Sequence, residues 1–411
     1  MMILAMINTP VTLVRFALVI LINLVNLFSG LIASETDPWT GREKLLQNQA
    51  ASKELLLKMD DITNTWLEEG ILQANRKGGK HHPCSKHRLY HSVYKKMTTF
   101  IFAHLEKKLN LDKEFEAYRV DQKRRDAVFK NLTFKESFPF YISAHGLGAS
   151  ININNNIIGS DKVGHFFAQG YTYFKKAYLN KNTHGIQDAL DYGHTSEKYY
   201  FGLQTTGIYS YGDLASNYDG MRFWKKLIGI RTTTGDNTID EQPYVICKNG
   251  KWQANPQVKF SWGDYVNPAW DEAINCSSLR NPWMDEKVYF EMQEKAKAQG
   301  KDGYSCPLSV DACQSIVKEY LQRGQNNVSV LKHLLSPECA KAANYTLADE
   351  KHGGEYFTNK KAQLPTWVKK SRSCFGACCS LLQVGELGLE NVLASLFHVN
   401  HTFKNDLFEI R

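Results

Sequence analysis

Two short segments hold side chains whose types and spacing suit chemistry. The first is Gly159-Ser160-Asp161-Lys162-Val163-Gly164-His165-Phe166-Phe167. The second, about fifty residues on, is Gly212-Asp213-Leu214-Ala215-Ser216-Asn217-Tyr218-Asp219-Gly220. Asp161 and His165 stand four apart, as do Asp213 and Asn217. Residues so spaced are neighbours on one helix face, about 5–6 Å apart at Cβ. Histidine exchanges a proton near neutral pH, and a carboxylate beside it orients the ring and favours imidazolium, which is the construction of a general base. Asp213 and Asn217 would add a second carboxylate and an amide that can donate to a developing anion. Asp161 and His165 are also metal ligands, and His145 in Ser143-Ala144-His145-Gly146 offers a third, so a divalent metal is a possible cofactor. Asp271 and Glu272 could complete a carboxylate set. The structural alternative is that Asp161 answers the helix dipole and Asp213 caps a helix.

A second histidine group, His81-His82-Pro83-Cys84-Ser85-Lys86-His87-Arg88-Leu89-Tyr90-His91, places His87 and His91 four apart. It lacks the acidic residue of the H-E-x-x-H pattern, and the surrounding Lys and Arg oppose a cation. A basic helix face is the plainer reading. The sequence contains no G-x-S-x-G elbow, Walker loop or dinucleotide fingerprint.

Helical periodicity predicts the elements that would position these groups. Ser160 suits the N-cap of a helix over about 161–179, with Val163, Phe167, Gly170, Tyr171, Phe174 and Tyr178 as its apolar side. Asp161 and His165 fall on the opposite side, facing a cleft, a second element or water. Asp213 suits the N-cap of a helix to about Gly229. Residues 36–75 and 85–130 read as helical, and the Asn-rich run from Gly146 to Gly159 reads as a loop. Asn249-Gly250 between Tyr244 and Trp252 signals a hairpin, Phe260 to Val266 a strand, and 270–276 a short helix. Helices follow near 284–299, 309–323, 328–343 and 385–398. The fold class is mainly α: a helical core with one small β-hairpin element and a disulfide-bearing helical C-terminal part, divided near residue 280 into 36–280 and 281–411.

Phe16 to Ala33 carries no charge and follows Arg15. Residues 1–34 read as a signal peptide, with Ser29, Gly30, Ala33 and Ser34 as a cleavage region, or as an uncleaved anchor. Either places the rest outside the cytoplasm. All nine cysteines follow this segment, and several should pair in an oxidising compartment. Cys306 with Cys313 and Cys247 with Cys276 are the nearest local pairings. Cys374, Cys378 and Cys379 with His352 or His398 form a non-standard metal alternative.

The 411 residues carry a formal charge of +8, and residues 80–135 hold 14 Lys and Arg against 6 Asp and Glu. This basic segment could meet an anionic membrane surface or another acidic envelope component. No nucleic-acid-binding motif is present.

Asp161-Lys162-Val163-Gly164-His165-Phe166 resembles the D-K-x-x-H-F segment of small bacterial envelope families, among them the VanZ-like proteins and a group of uncharacterised lipoproteins. The wider set, with Tyr209-Ser210-Tyr211-Gly212-Asp213 and Trp270-Asp271-Glu272-Ala273-Ile274-Asn275-Cys276-Ser277, resembles an uncharacterised family of exported proteobacterial proteins. The resemblance covers roughly residues 140–280 and implies an envelope location and a helical core. The expectation is thus an exported or membrane-tethered bacterial envelope protein without catalytic activity. The alternative is a metal- or His/Asp-dependent hydrolase acting on an envelope component, with His165 as base, Asp161 orienting it, and Asp213 and Asn217 holding metal, water or oxyanion.

Overall fold

Two helices cross at glycines, and this crossing builds the centre of the molecule. A computed structural model describes residues 35–76, 83–99, 103–137, 147–180, 185–230, 242–322 and 328–347. The first crossing helix, α5, runs from 161 through 179. It alternates α-helical Asp161–Gly164 and Gly170–Phe174 with π-helical turns His165–Gln169 and Lys175–Leu179. Its partner is α7, Tyr211–Lys226. Where they cross, a methyl group on Gly170 would press on Gly220, and one on Gly220 would collide with the Phe166 carbonyl. Glycine at both positions lets the backbones touch, as small residues do wherever helices approach closely.

Before α5 come α1 (Arg42–Gln47), α2 (Gln49–Arg76), α3 (Lys86–Met97) and α4 (His104–Leu111). The long α2 buries Leu55, Met59, Thr63, Leu67, Ile71 and Ala74, a three-or-four spacing. The helical reading of 85–130 holds only in part. The chain leaves the helix at Leu111, passes through a 3-10 turn (Lys113–Tyr118) and enters strand β1 (Arg119–Val120).

The loop expected from Gly146 to Gly159 is instead a hairpin. Strands β2 (Ser150–Ile153) and β3 (Asn156–Gly159) pair antiparallel, Ile151 against Ile158, and β1 adds to the other edge of β2. Asn154 and Asn155 turn the chain with φ of 51° and 68°, values asparagine tolerates better than most residues. Ile151, Ile153, Ile157 and Ile158 are buried. The asparagines make the turn, and the isoleucines around it make the strands.

After α5, helix α6 (Ile186–Ser196) continues as a π-helical stretch (Glu197–Thr206) into β4 (Ile208–Tyr209). The hairpin expected at Asn249-Gly250 is present as β5 (Val245–Lys248) and β6 (Lys251–Ala254), with positive φ at both turn residues. The strand expected at 260–266 is a 3-10 turn, Trp262–Asp264, because Asp60 of α2 accepts from Trp262 N and Ser261 Oγ and draws the backbone aside. The short helix expected at 270–276 is a 3-10 turn, Pro268–Trp270, followed by turns. Strand β7 (Ser278–Leu279) pairs with β4. Helices α8 (Pro282–Ala298), α9 (Val310–Gln322), α10 (Val328–Leu334) and α11 (Pro337–Ala342) follow. The fold is mainly α, with small antiparallel sheets. Across residue 280, Asn275 donates to Leu334 O and accepts from Ser336 N.

The disulfides are Cys84–Cys247, Cys276–Cys306 and Cys313–Cys339. Neither local pairing expected from the sequence forms. Cα atoms 5.9 Å apart join Cys84 to Cys247 across a separation of 163 residues, so the fold and not chain proximity selects partners. The three bonds fit an extracytoplasmic environment. No helix among the described residues is long and apolar enough to cross a membrane. Residues 1–34, the last predicted helix, His81, His82, His145, His352, His398, Cys374, Cys378 and Cys379 lie outside the described residues.

Candidate functional site: a buried acidic centre around Lys162

The α5–α7 crossing brings the two sequence segments together. Helix α7 begins one residue after its N-cap, Ser210, whose hydroxyl accepts from Asp213 N. Asp213 is therefore not the cap expected from the sequence. It stands in the first turn, with its carboxylate directed at α5. His165 Nε2 lies 3.1 Å from Asp213 Oδ2, and Nδ1 lies 3.0 Å from Asn217 Oδ1. Asp213 and Asn217 therefore orient the ring, the role expected of Asp161. Asp161 instead accepts from Thr36 Oγ1 at 3.0 Å and from Lys162 Nζ at 2.8 Å.

Lys162 is the hub. Its side chain is 0 % exposed, and Nζ is 2.8 Å from Asp161 Oδ2 and 3.0 Å from Glu272 Oε1. It is also 2.6 Å from Asp213 Oδ1, an ion contact off the hydrogen-bond direction. Glu272, from the segment after Trp270, also accepts from the Ser210 hydroxyl. Its sequence neighbour Asp271 serves another purpose. It holds Arg42 in a two-pronged salt bridge and accepts from Ile157 N, bracing α1 against β3. Three further glutamates surround the hub. Glu35 accepts from Thr206 Oγ1, Glu197 from Ser210 N, and the Glu106 carboxylate lies against Gly164. All of these residues are buried, so the side of α5 expected to face a cleft or water is covered as completely as its apolar side. Helix α7, helix α4 and the 271–275 segment supply the cover.

Six carboxyl groups thus share an interior with one lysine and one histidine, and their protonation follows from that crowding. Burial alone would push Lys162 down, but Asp161, Asp213, Glu272 and Glu35 outweigh it and hold the ammonium well above its ordinary value. Burial likewise opposes a charged His165, yet the charge and hydrogen bond of Asp213, helped by Asp161, push it up to about 9. Burial would raise Asp213, but His165 and Lys162 hold it low. Burial, then the charge of Asp161, raises Glu106 to about 8; burial, then Asp213, raises Glu197 to about 8. Burial raises Glu35 and Glu272 as well, and the charge of Asp213 adds to both. At neutral pH the centre pairs the cations of Lys162 and His165 with an anionic Asp213, while Glu35, Glu106, Glu197 and Glu272 are driven toward their neutral forms.

Two sets of three ligand-type side chains bring atoms within 4.8 Å of one another: Asp161, His165 and Asp213, and Glu35, Glu197 and Asp213. His87 and His91 stack on α3 with ring centroids 6.1 Å apart and join no such set among the described residues. Sequence reasoning found Asp161, His165, Asp213, Asn217 and Glu272. It assigned Lys162 no role and passed over Glu35, Glu106 and Glu197. Comparison with protein-family models, curated proteins and solved structures finds no match to this chain.

Proposed function

We propose that this is an exported bacterial envelope protein that works through its surface and not by catalysis, docking on an anionic membrane. One observation carries this reading. Lys123, Arg124, Arg125 and Lys130 line a single solvent-open recess on the basic segment. Lys123, Arg125 and Lys130 are exposed there, where they can replace the counterions of acidic head groups. The closed centre around Lys162 fits the same reading, since a buried site gives a polymeric substrate no approach. The uncharged stretch from Phe16 to Ala33 supplies the export signal or anchor.

The test is co-sedimentation of the purified protein with phosphatidylglycerol vesicles as salt is raised. The expected result is binding that falls steeply with ionic strength and that weakens when Lys123, Arg125 and Lys130 are changed together to Gln. Absent binding, or binding insensitive to salt, overturns the reading. N-terminal sequencing of the exported form separates a cleaved signal from an anchor.

The hydrolase reading has one observation in its favour, the grip of Asp213 and Asn217 on His165. A general base must be unprotonated to act, and a histidine raised to about 9 already holds its proton at pH 7. On the hydrolase reading, His165→Ala abolishes a cellular phenotype while the melting temperature stays nearly unchanged. On the surface reading it lowers stability.

A further inference from the structure

The two overlapping ligand sets in the buried centre are not equivalent. In the Asp161–His165–Asp213 set the protein supplies its own cations. Lys162 sits on Asp161 and on Asp213, the residue both sets share, and His165 is itself held by Asp213; among the described residues no ion pair joins Lys162 to Glu35 or Glu197. In the Glu35–Glu197–Asp213 set one oxygen of each glutamate is fixed by a hydrogen bond, Glu35 Oε1 by Thr206 and Glu197 Oε1 by Ser210 N. Such fixing is what orients metal-ligating carboxylates. Glu35 Oε2 is then left buried with no hydrogen-bond partner among the described residues, on a residue only 5 % exposed. An unpartnered carboxylate oxygen in an interior costs several kcal/mol if ionised, so native interiors seldom keep one without a ligand to meet it. The hydroxyl of Tyr173, wholly buried and on the Glu197–Asn217 side, likewise has no well-formed hydrogen bond among the described residues.

We propose that Glu35, Glu197 and Asp213 bind one hard divalent cation of the Ca²⁺, Mg²⁺ or Mn²⁺ class inside the α5–α7 centre. The donors are all carboxylate oxygens, the set such ions prefer, whereas softer ions favour imidazole or thiolate. The site differs from the Asp161–His165–His145 ligand set suggested by the sequence. It ties Glu35 to the start of the π-helical stretch that follows α6 and to the start of α7. It stands independently of the membrane-docking reading, which concerns another surface.

The test uses the purified full chain, stripped with EDTA and titrated calorimetrically with Ca²⁺, Mg²⁺ and Mn²⁺ in turn, with thermal unfolding followed in parallel. The expected result is one saturable ion per chain for at least one of the three, with a raised melting temperature. Glu197→Gln and Glu35→Gln should each weaken binding by roughly 10–100-fold or more, and His165→Ala should leave it measurable. Tb³⁺ luminescence sensitised by nearby tyrosine, and its displacement by Ca²⁺, reads occupancy in the unaltered chain, so the test survives a variant that fails to fold. Three results overturn the proposal: no binding or melting shift with any of the three ions and no sensitised Tb³⁺ emission; binding unchanged in both glutamate variants; or binding abolished by His165→Ala but kept in Glu197→Gln.

Discussion

His165 and Phe166 are consecutive, yet they look into two different interiors. His165 enters the acidic centre, where nearly every neighbour carries or can carry charge. Phe166 enters an aromatic core, with ring centroids 4.9 Å from Trp262, 5.1 Å from Phe167 and Tyr265, and 5.5 Å from Phe223. The aromatic side holds a few polar bonds of its own. Trp270 Nε1, Asn267 Nδ2 and Tyr320 Oη all donate to Asp219 Oδ2, and Trp224 Nε1 donates to Phe167 O. A helix usually has one buried side and one wet one. Helix α5 has two buried sides of opposite chemistry over its first turns, and its glycines allow the close approach: Gly164 admits the Glu106 carboxylate and Gly170 the backbone of α7. The aromatic side contributes by area and shape and is indifferent to pH. The charged side depends on every partner being present and in the right protonation state.

The sharpest way to break the comparison is to remove one keystone from each side. Lys162→Met takes the cation from Asp161, Asp213 and Glu272 at once and leaves carboxylates in an interior. Loss of one partner of a buried pair costs about 3–5 kcal/mol, and urea unfolding at pH 7 should show at least that. Phe166→Ala on the other side should cost a similar amount, about 3–5 kcal/mol, through the cavity it opens. The two should part company with pH. The Lys162→Met deficit should shrink in acid, as the orphaned carboxylates protonate, and the Phe166→Ala deficit should stay level. Equal pH behaviour in both variants would mean that the two sides are energetically one.

The wild-type pH profile, measured with EDTA present, is the next largest effect. Glu106 has its folded value raised from 4.5 to about 8. A carboxyl raised in this way binds its proton more tightly when folded, so the stability it contributes is lost as pH rises from about 4.5 to 8. His165 is raised from 6.5 to about 9. Its contribution is complete below about 6.5 and is lost as pH rises through 9. Asp213, held low, works in the opposite sense and loses stability only as pH falls below its ordinary 3.8. Unfolding free energy should therefore be greatest in mildly acidic buffer and decline steadily to pH 9. Glu106→Gln should flatten the decline between 4.5 and 8. A profile that rises from pH 5 to 8 would show that the ring of carboxyls is ionised in the folded chain.

How much of this was legible in the sequence differs between the two sides. The helical period exposed α2, α7, α8 and α9, and Asn249-Gly250 exposed its hairpin, because those signals are local; the single helix expected at 328–343 is instead α10 and α11, broken where Ser336 caps and Pro337 starts the second. The meeting of Asp161–His165 with Asp213–Asn217 was legible as two four-residue spacings awaiting a common place. The identity of the hub was not. Lys162 has no mark in the local pattern, and its place comes from carboxylates of three segments, Asp161, Asp213 and Glu272, that meet only in the fold. Glu106 had no such signal, since Leu105 and Leu109, both fully buried, keep their four-residue spacing whatever stands at 106. Glu35 and Glu197 carry no local mark, and their role arises from tertiary neighbours alone. The disulfides failed for the same reason: the Cys84–Cys247 partners are 163 residues apart.

The smallest expected effect sets the scale for the others. Lys96 and Glu69 form an ion pair of 2.8 Å between α3 and α2, as short as the Lys162–Asp161 contact, but their side chains are 38 % and 46 % exposed. Distance alone would rank the two pairs as equals. Water and salt screen the exposed pair, and two long side chains must be ordered to make it, so such pairs contribute about 0–1 kcal/mol. Glu69→Ala should therefore change the urea midpoint by less than about 1 kcal/mol in free energy, and raising the salt should erase even that. Lys162→Met should stay costly in the same high salt, because ions do not reach an interior. If salt relieves both variants alike, the centre around Lys162 is open to water and the contrast between the two interiors of α5 fails.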